Sequence, residues 1–113
     1  MTHDKLIKGL TRVVREEYIV SNPLEKLAYS HDLAPVLGFI SLLFRITPDV
    51  IVSPSNVEQI PEILKIANKY KAPAIPRGAA TWGFGGVVPT RGGILLDLRR
   101  LNRIIGLNDK RAY

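Results

Sequence analysis

Leu6, Ile7, Leu10, Val13, Val14 and Tyr18 recur at the three-and-four spacing of one helix face with charged residues between them, which predicts an amphipathic helix over residues 4–18. Thr2 or Asp4 is placed to cap it. Ser21-Asn22-Pro23 stops it, because the residue before a proline is pushed out of the α region and proline cannot continue the ladder. A short helical turn over 23–27 is expected next. A second stripe, Val57, Ile60, Ile63, Leu64, Ala67 and Tyr70, predicts a helix over 57–70, with Glu58, Gln59, Glu62, Lys65 and Lys69 facing away. Ser55 or Asn56 stands at its N-cap, Glu58 lies at capping-box spacing from Ser55, and Pro61 falls near the first turn, where a missing N–H costs least.

Between and after these stripes the apolar positions become continuous. Val50-Ile51-Val52 and Ala74-Ile75-Pro76 read as strands on either side of the second helix, a βαβ unit with parallel strands. Residues 93–98 read as a third strand, and Leu101, Ile104, Ile105 and Leu107 point to a further extended segment running into Asn108-Asp109. Residues 33–47 are rich in Leu, Ile and Phe but broken by Pro35 and Gly38, so they are expected to be irregular with short helical pieces packed against a partner surface. The expected class is α+β, a small, mainly parallel sheet with N-terminal helices. It is organised as an N-terminal helical and irregular segment over 1–47 and a sheet-forming part over 48–113.

At 113 residues this is one domain or part of one. The absence of cysteine excludes disulfides, thiolate metal sites and a cysteinyl cofactor link, and His3 and His31 stand in no metal-ligand spacing, so no metal site is expected. No signal-peptide pattern opens the chain, and the region 33–46 falls short of the ~18 apolar residues of a membrane span. The reading is a cytoplasmic protein without a transmembrane segment, peripheral membrane contact being left open. The net charge of +6 comes from basic residues scattered among acidic ones, which favours a solvated basic face over nucleic acid. An anionic ligand, an acidic partner or an anionic membrane surface is the sharper alternative.

The candidate chemistry lies in the small-residue stretch 76–86, Pro-Arg-Gly-Ala-Ala-Thr-Trp-Gly-Phe-Gly-Gly, between two predicted strands. Small residues let the backbone approach a ligand and adopt positive φ, and consecutive N–H groups in such turns converge on an anion. Arg77 adds a positive charge at the entrance. A dinucleotide fingerprint begun at Gly83 meets Val88 where its last glycine belongs, and no helix pattern follows. A P-loop begun at Gly78 meets Phe84 where its lysine belongs, which removes nucleoside triphosphate hydrolysis. A glycine-rich connection with no ligand is the bland alternative, against which Trp82 and Phe84 weigh, since aromatic side chains on a turn need a surface to cover.

Taken in order, residues 48–60, then Pro76-Arg77-Gly78 with Thr81 and Gly85-Gly86, then Gly93-Ile94-Leu95-Leu96-Asp97-Leu98, resemble the FAD-linked oxidase family of vanillyl-alcohol-oxidase type. Tyr29-Ser30-His31-Asp32 resembles the tyrosine and aspartate preceding the flavin domain in its glycolate oxidase and D-lactate dehydrogenase branch. The resemblance implies the N-terminal part of a PCMH-type FAD-binding domain, with residues 48–113 as its first, incomplete half. It further implies that Arg77, Gly78, Ala79, Ala80, Thr81 and Trp82 receive the FAD pyrophosphate, while Gly85 and Gly86 let the chain turn beneath the flavin. Ala80 and Trp82 stand where many relatives have glycine, and the histidine that tethers FAD in some members is absent near Thr81, which implies non-covalent FAD. The family's catalytic residues lie beyond this stretch, so no catalytic residue is carried over. The implied function is the FAD-binding portion of an oxidoreductase acting on a 2-hydroxy acid such as glycolate or D-lactate, inactive alone. Its implied partner is the remainder of the flavin domain or a companion subunit; a non-enzymatic partner-binding module is the alternative.

Overall fold

The computed structural model describes residues 2–33 and 46–112, so the segment expected to be irregular with short helical pieces lies mostly outside the described residues. Helix α1 (Thr2–Leu10) leads through a 3-10 turn (Glu16–Tyr18) into strand β1 (Ile19–Val20) and helix α2 (Pro23–Ala28). Strand β2 (Val50–Val52), helix α3 (Gln59–Lys69), strand β3 (Ala74–Arg77) and strand β4 (Ile94–Asp97) follow. Strands β5 (Leu107–Asn108) and β6 (Arg111–Ala112) pair as a small antiparallel hairpin where the extended segment was expected.

The main sheet has the order β1-β2-β4-β3, with β2, β4 and β3 parallel and β1 antiparallel to β2. The α+β class and the mainly parallel sheet are as the pattern implied. The strands of the βαβ unit are parallel but not neighbours, because β4 inserts between them. Burial explains that placement. Every residue of β2 and β4 is buried, which suits apolar runs covered on both faces. Strand β3 carries Pro76, whose missing N–H is tolerated at an edge.

Val50, Val52, Ile94 and Leu96 form one face of the sheet and pack against Leu6, Leu10 and Val14 below and Ile63 and Ala67 of α3. Each fully buried Leu or Ile here contributes about 1.5–3 kcal/mol. Ile51 and Leu95, partners in register, turn to the opposite face and are buried there as well. Residues from the first twenty thus share a core and a sheet with residues after 48.

Two helix boundaries correct the periodicity. The first helix ends at Leu10, not at Tyr18. The Thr11 hydroxyl donates to the Lys8 carbonyl at 3.1 Å, and the Val13 N–H reaches back only to Leu10, at 3.0 Å. Such competition for helix carbonyls, beside the β-branched pair Val13-Val14, loosens the ladder. Val14 still enters the core, so the apolar stripe continues after the helix has stopped. Strand β1 leaves no trace in the periodicity, since two residues carry no period.

Helix α3 begins at Gln59, not Val57, and its capping box uses Gln59 in place of Glu58. Asn56 Oδ1 accepts from the Gln59 N–H at 3.2 Å, while Gln59 Oε1 accepts from the Ser55 N–H at 2.7 Å. The helix ends in a Schellman arrangement: the Ala72 N–H donates to Ala67 at 2.9 Å and the Lys71 N–H to Asn68 at 3.1 Å. Lys71 takes the left-handed position, at φ 54°, where a Cβ is penalised. Lys71→Gly should therefore raise folding stability by about 0.5–1 kcal/mol, read as a higher urea midpoint at unchanged slope. A lowered midpoint would contradict this account.

Candidate functional site

Strands β3 and β4 end side by side with Arg77 opposite Asp97, and residues 78–93 connect them. The carboxyl ends of adjacent parallel strands are where an open sheet offers a ligand crevice. In this loop Ala80 sits at φ 56° and Gly85 at φ 76°, so the backbone reverses at both positions. For alanine that conformation costs roughly 1–2 kcal/mol.

Among the described residues, none of the N–H groups from Gly78 to Phe84 donates a backbone hydrogen bond. A Cβ placed on Gly78 or Gly86 would meet nothing within 4 Å. Packing among the described residues does not require glycine at either position. Residues 76–86 contain one cation, Arg77, and no acidic residue. Among the described residues the loop is a row of N–H groups without backbone acceptors, with no acidic residue of its own.

The loop is held at both ends by the segment that follows α2. Arg77 donates from Nη1 to the His31 carbonyl at 2.9 Å, and its guanidinium lies 5.3 Å from the centre of the Tyr29 ring. Asp32 is buried, and its Oδ2 accepts from the Gly85 N–H at 2.8 Å. Tyr29 therefore braces the entrance of the loop and Asp32 its far turn.

Behind the entrance lies a charged cluster. Asp97 is buried and accepts at Oδ1 from the Arg99 Nε–H at 2.9 Å and at Oδ2 from Arg99 Nη2 at 2.7 Å. The Arg99 backbone N–H adds a bond at 3.1 Å, and the Tyr29 hydroxyl one at 3.3 Å. Arg99 also lies 5.4 Å from the Tyr29 ring centre, so Arg77 and Arg99 both lie against that one ring. Burial alone pushes the Asp97 carboxyl up, but the Arg99 side-chain and backbone hydrogen bonds, its charge and the Tyr29 hydroxyl outweigh it and hold the group below the ordinary aspartate range. The hydrogen bond to Asp97 and the attraction of its charge hold Arg99 protonated far above neutral pH.

Arg77, Gly78, Ala79, Ala80, Thr81, Trp82, Gly85 and Gly86 thus lie on one loop at the strand ends. The Arg77 side chain, expected as a charge at the loop entrance, is engaged with Tyr29 and His31. Sequence reasoning missed Asp97 and Arg99 as a bracing pair. The available signal was a carboxylate closing the apolar run 94–96, a position too buried for an unpartnered charge. No helix among the described residues is long and apolar enough to cross a membrane.

Residues 48–113 match the FAD binding domain family, more than half of the chain. The chain is 31% identical over 109 residues to glycolate oxidase subunit GlcD of Bacillus subtilis, covering 89% of this chain and 22% of that protein. It is 26% identical over 102 residues to D-lactate dehydrogenase of Anaerostipes hadrus, covering 90% of this chain and 20% of that protein. In three dimensions it resembles 4-ethylphenol oxidase from Gulosibacter chungangensis with a TM-score of 0.79 at 25% identity, covering 96% of this chain and 20% of the other. The fold is also that of p-cresol methylhydroxylase, with a TM-score of 0.78 at 23% identity over 95% of this chain and 20% of the other. The chain spans about a fifth of the length of these relatives.

Proposed function

We propose, because this chain belongs to the FAD binding domain family, that its loop over 76–86 is the wall of an FAD site that receives the pyrophosphate. The observation that carries this reading is the run of N–H groups from Gly78 to Phe84 without backbone acceptors among the described residues, in a loop pinned through Arg77 and Gly85. The N–H groups of Gly78, Ala79, Ala80, Thr81 and Trp82, with the Thr81 hydroxyl, would donate to phosphate oxygens, and Arg77 would add long-range attraction. Gly85 and Gly86 would leave room for the chain to turn under the ligand. Since no histidine stands near Thr81, FAD would be held non-covalently.

The chemistry FAD supplies when bound is acceptance of a hydride from substrate. This chain's own residues would bind and orient. Asp32 and Tyr29 would keep the donors aimed in advance, so that little ordering entropy is lost on binding. The relatives named glycolate oxidase subunit and D-lactate dehydrogenase support a 2-hydroxy acid such as glycolate or D-lactate as substrate of the complete enzyme. We assign the remaining wall of the site to the rest of a flavin domain or to a companion subunit, and the chain by itself would be inactive.

Gly78→Val tests the assignment. The added side chain enters open space, so the folding midpoint should stay within about 0.5 kcal/mol of wild type. Titration of the isotope-labelled chain with FAD should shift the N–H resonances of residues 78–82 in wild type and do so at least tenfold more weakly in the variant. Equal response in both chains would remove the loop from the site. Oxidation of glycolate or D-lactate by the chain with FAD and no other protein would overturn the claim that it is inactive alone.

A further inference from the structure

Trp82 and Phe84 are the large apolar side chains that the pyrophosphate reading leaves without a task. They are 72% and 81% exposed, yet their rings lie 5.3 Å apart at an interplanar angle of 39°. Two aromatic rings in contact with each other and otherwise open to water form a small apolar surface that nothing in the described chain covers. Their place is not arbitrary. Trp82 lies within the run of N–H groups that have no backbone acceptor among the described residues, Phe84 precedes Gly85, and the Gly85 N–H is fixed to buried Asp32 at 2.8 Å. The backbone reversals at Ala80 and Gly85 frame the pair. A ligand whose phosphates took those N–H groups would bring whatever is attached to the phosphates against the two rings.

We propose that Trp82 and Phe84 form a stacking face for a planar ring system of the FAD, a deepening that rests on the pyrophosphate reading of the same loop. FAD carries a planar ring on each side of its pyrophosphate, and aromatic side chains accept either, because every such ring has a π-face. The chain would gain here, through ring contact, affinity that a bare glycine turn cannot supply. Both side chains project into solvent, so their removal tests binding without disturbing the core.

Trp82 is the single tryptophan of the chain, so its emission reports one site. The wild-type chain is titrated with FAD, with FMN and with ADP, the emission is corrected for flavin absorption, and N-acetyltryptophanamide serves as the collisional control. Labelled N–H spectra are recorded on the same samples. Saturable quenching by FAD, at concentrations where the N–H groups of 78–81 shift, is the expected result. Quenching shared by FMN and not ADP assigns the flavin ring, and the reverse assigns adenine; either supports the proposal. Trp82→Ala should weaken FAD binding in equilibrium dialysis by roughly 5- to 100-fold at unchanged folding midpoint, and Trp82→Phe should restore most of it. If the N–H groups of 78–81 shift while Trp82 emission and its indole N–H do not, the stacking face is overturned and the pyrophosphate reading stands. If neither responds to FAD, the pyrophosphate reading falls and the stacking face with it.

Discussion

Gly93→Ala should destabilise the fold by about 3 kcal/mol or more, the largest single-residue effect we expect from this structure. Gly93 stands immediately before β4 at φ 86°, where an L side chain is strained whatever the space. The space is also absent. An ideal Cβ would lie 2.2 Å from the Pro73 carbonyl oxygen, a backbone atom that cannot swing aside, and that same oxygen accepts from the Ile94 N–H at 2.7 Å. Gly93 further accepts from the Asp49 N–H at 2.8 Å and donates to Asp49 Oδ2 at 2.7 Å, so one residue ties the starts of β2, β3 and β4 together. Moving it to relieve the clash would disturb all three strands. Urea denaturation should show a collapsed midpoint or no folded baseline for Gly93→Ala. A midpoint within 1 kcal/mol of wild type would refute this reading of the junction.

Asp97→Ala should cost about 2 kcal/mol, lowering the melting temperature by roughly 10 °C in a domain of this size. The carboxylate is buried and carries bonds from Arg99 and Tyr29, so deleting it removes those bonds and leaves Arg99 its contact with the Tyr29 hydroxyl at 2.6 Å. Removing one partner of a pair whose two charges are both fully buried costs more, about 3–5 kcal/mol. Here the Arg99 side chain is 52% exposed and can turn to water, which moderates the effect. The pH dependence has a definite sign. Because the folded Asp97 carboxyl is held below its ordinary value, its contribution is present above the unfolded aspartate pKa of about 3.9 and is lost as pH falls through the folded one. The stability difference between wild type and Asp97→Asn should stay constant from pH 7 to 5 and shrink below pH 4. A difference that widened toward acid would contradict the pairing with Arg99.

Much of the architecture was legible along the chain because it rests on burial, which leaves a periodic trace. The continuous runs at 50–52 and 94–97, the stripe from Ile60 to Tyr70 and the small-residue loop after Arg77 are each recoverable from residue type alone. Helix ends were less legible. The stripe through Val14 and Tyr18 records which side chains face the core, whereas the helix itself ends at Leu10 for want of a continued hydrogen-bond ladder. Capping erred by one residue for a related reason: Glu58 and Gln59 are both competent partners, and only the reach of each side chain to Ser55 selects between them. The position of β4 between β2 and β3 has no local signature, since strand order is a competition among edges for coverage.

The candidate site divides in the same way. By itself the sequence determined that small residues and one arginine follow a strand, that the common nucleotide motifs fail there, and that the ordered set of segments resembles a flavin-binding family. Residue type and spacing carry that much because conformational freedom and charge are properties of single residues. Only the tertiary structure decided that Asp32, fifty-three positions earlier, holds Gly85, that Tyr29 braces both Arg77 and Arg99, and that Gly93 is locked against Pro73. These are contacts between distant segments, fixed by the joint packing of sheet and helices, and no window along the chain contains both partners.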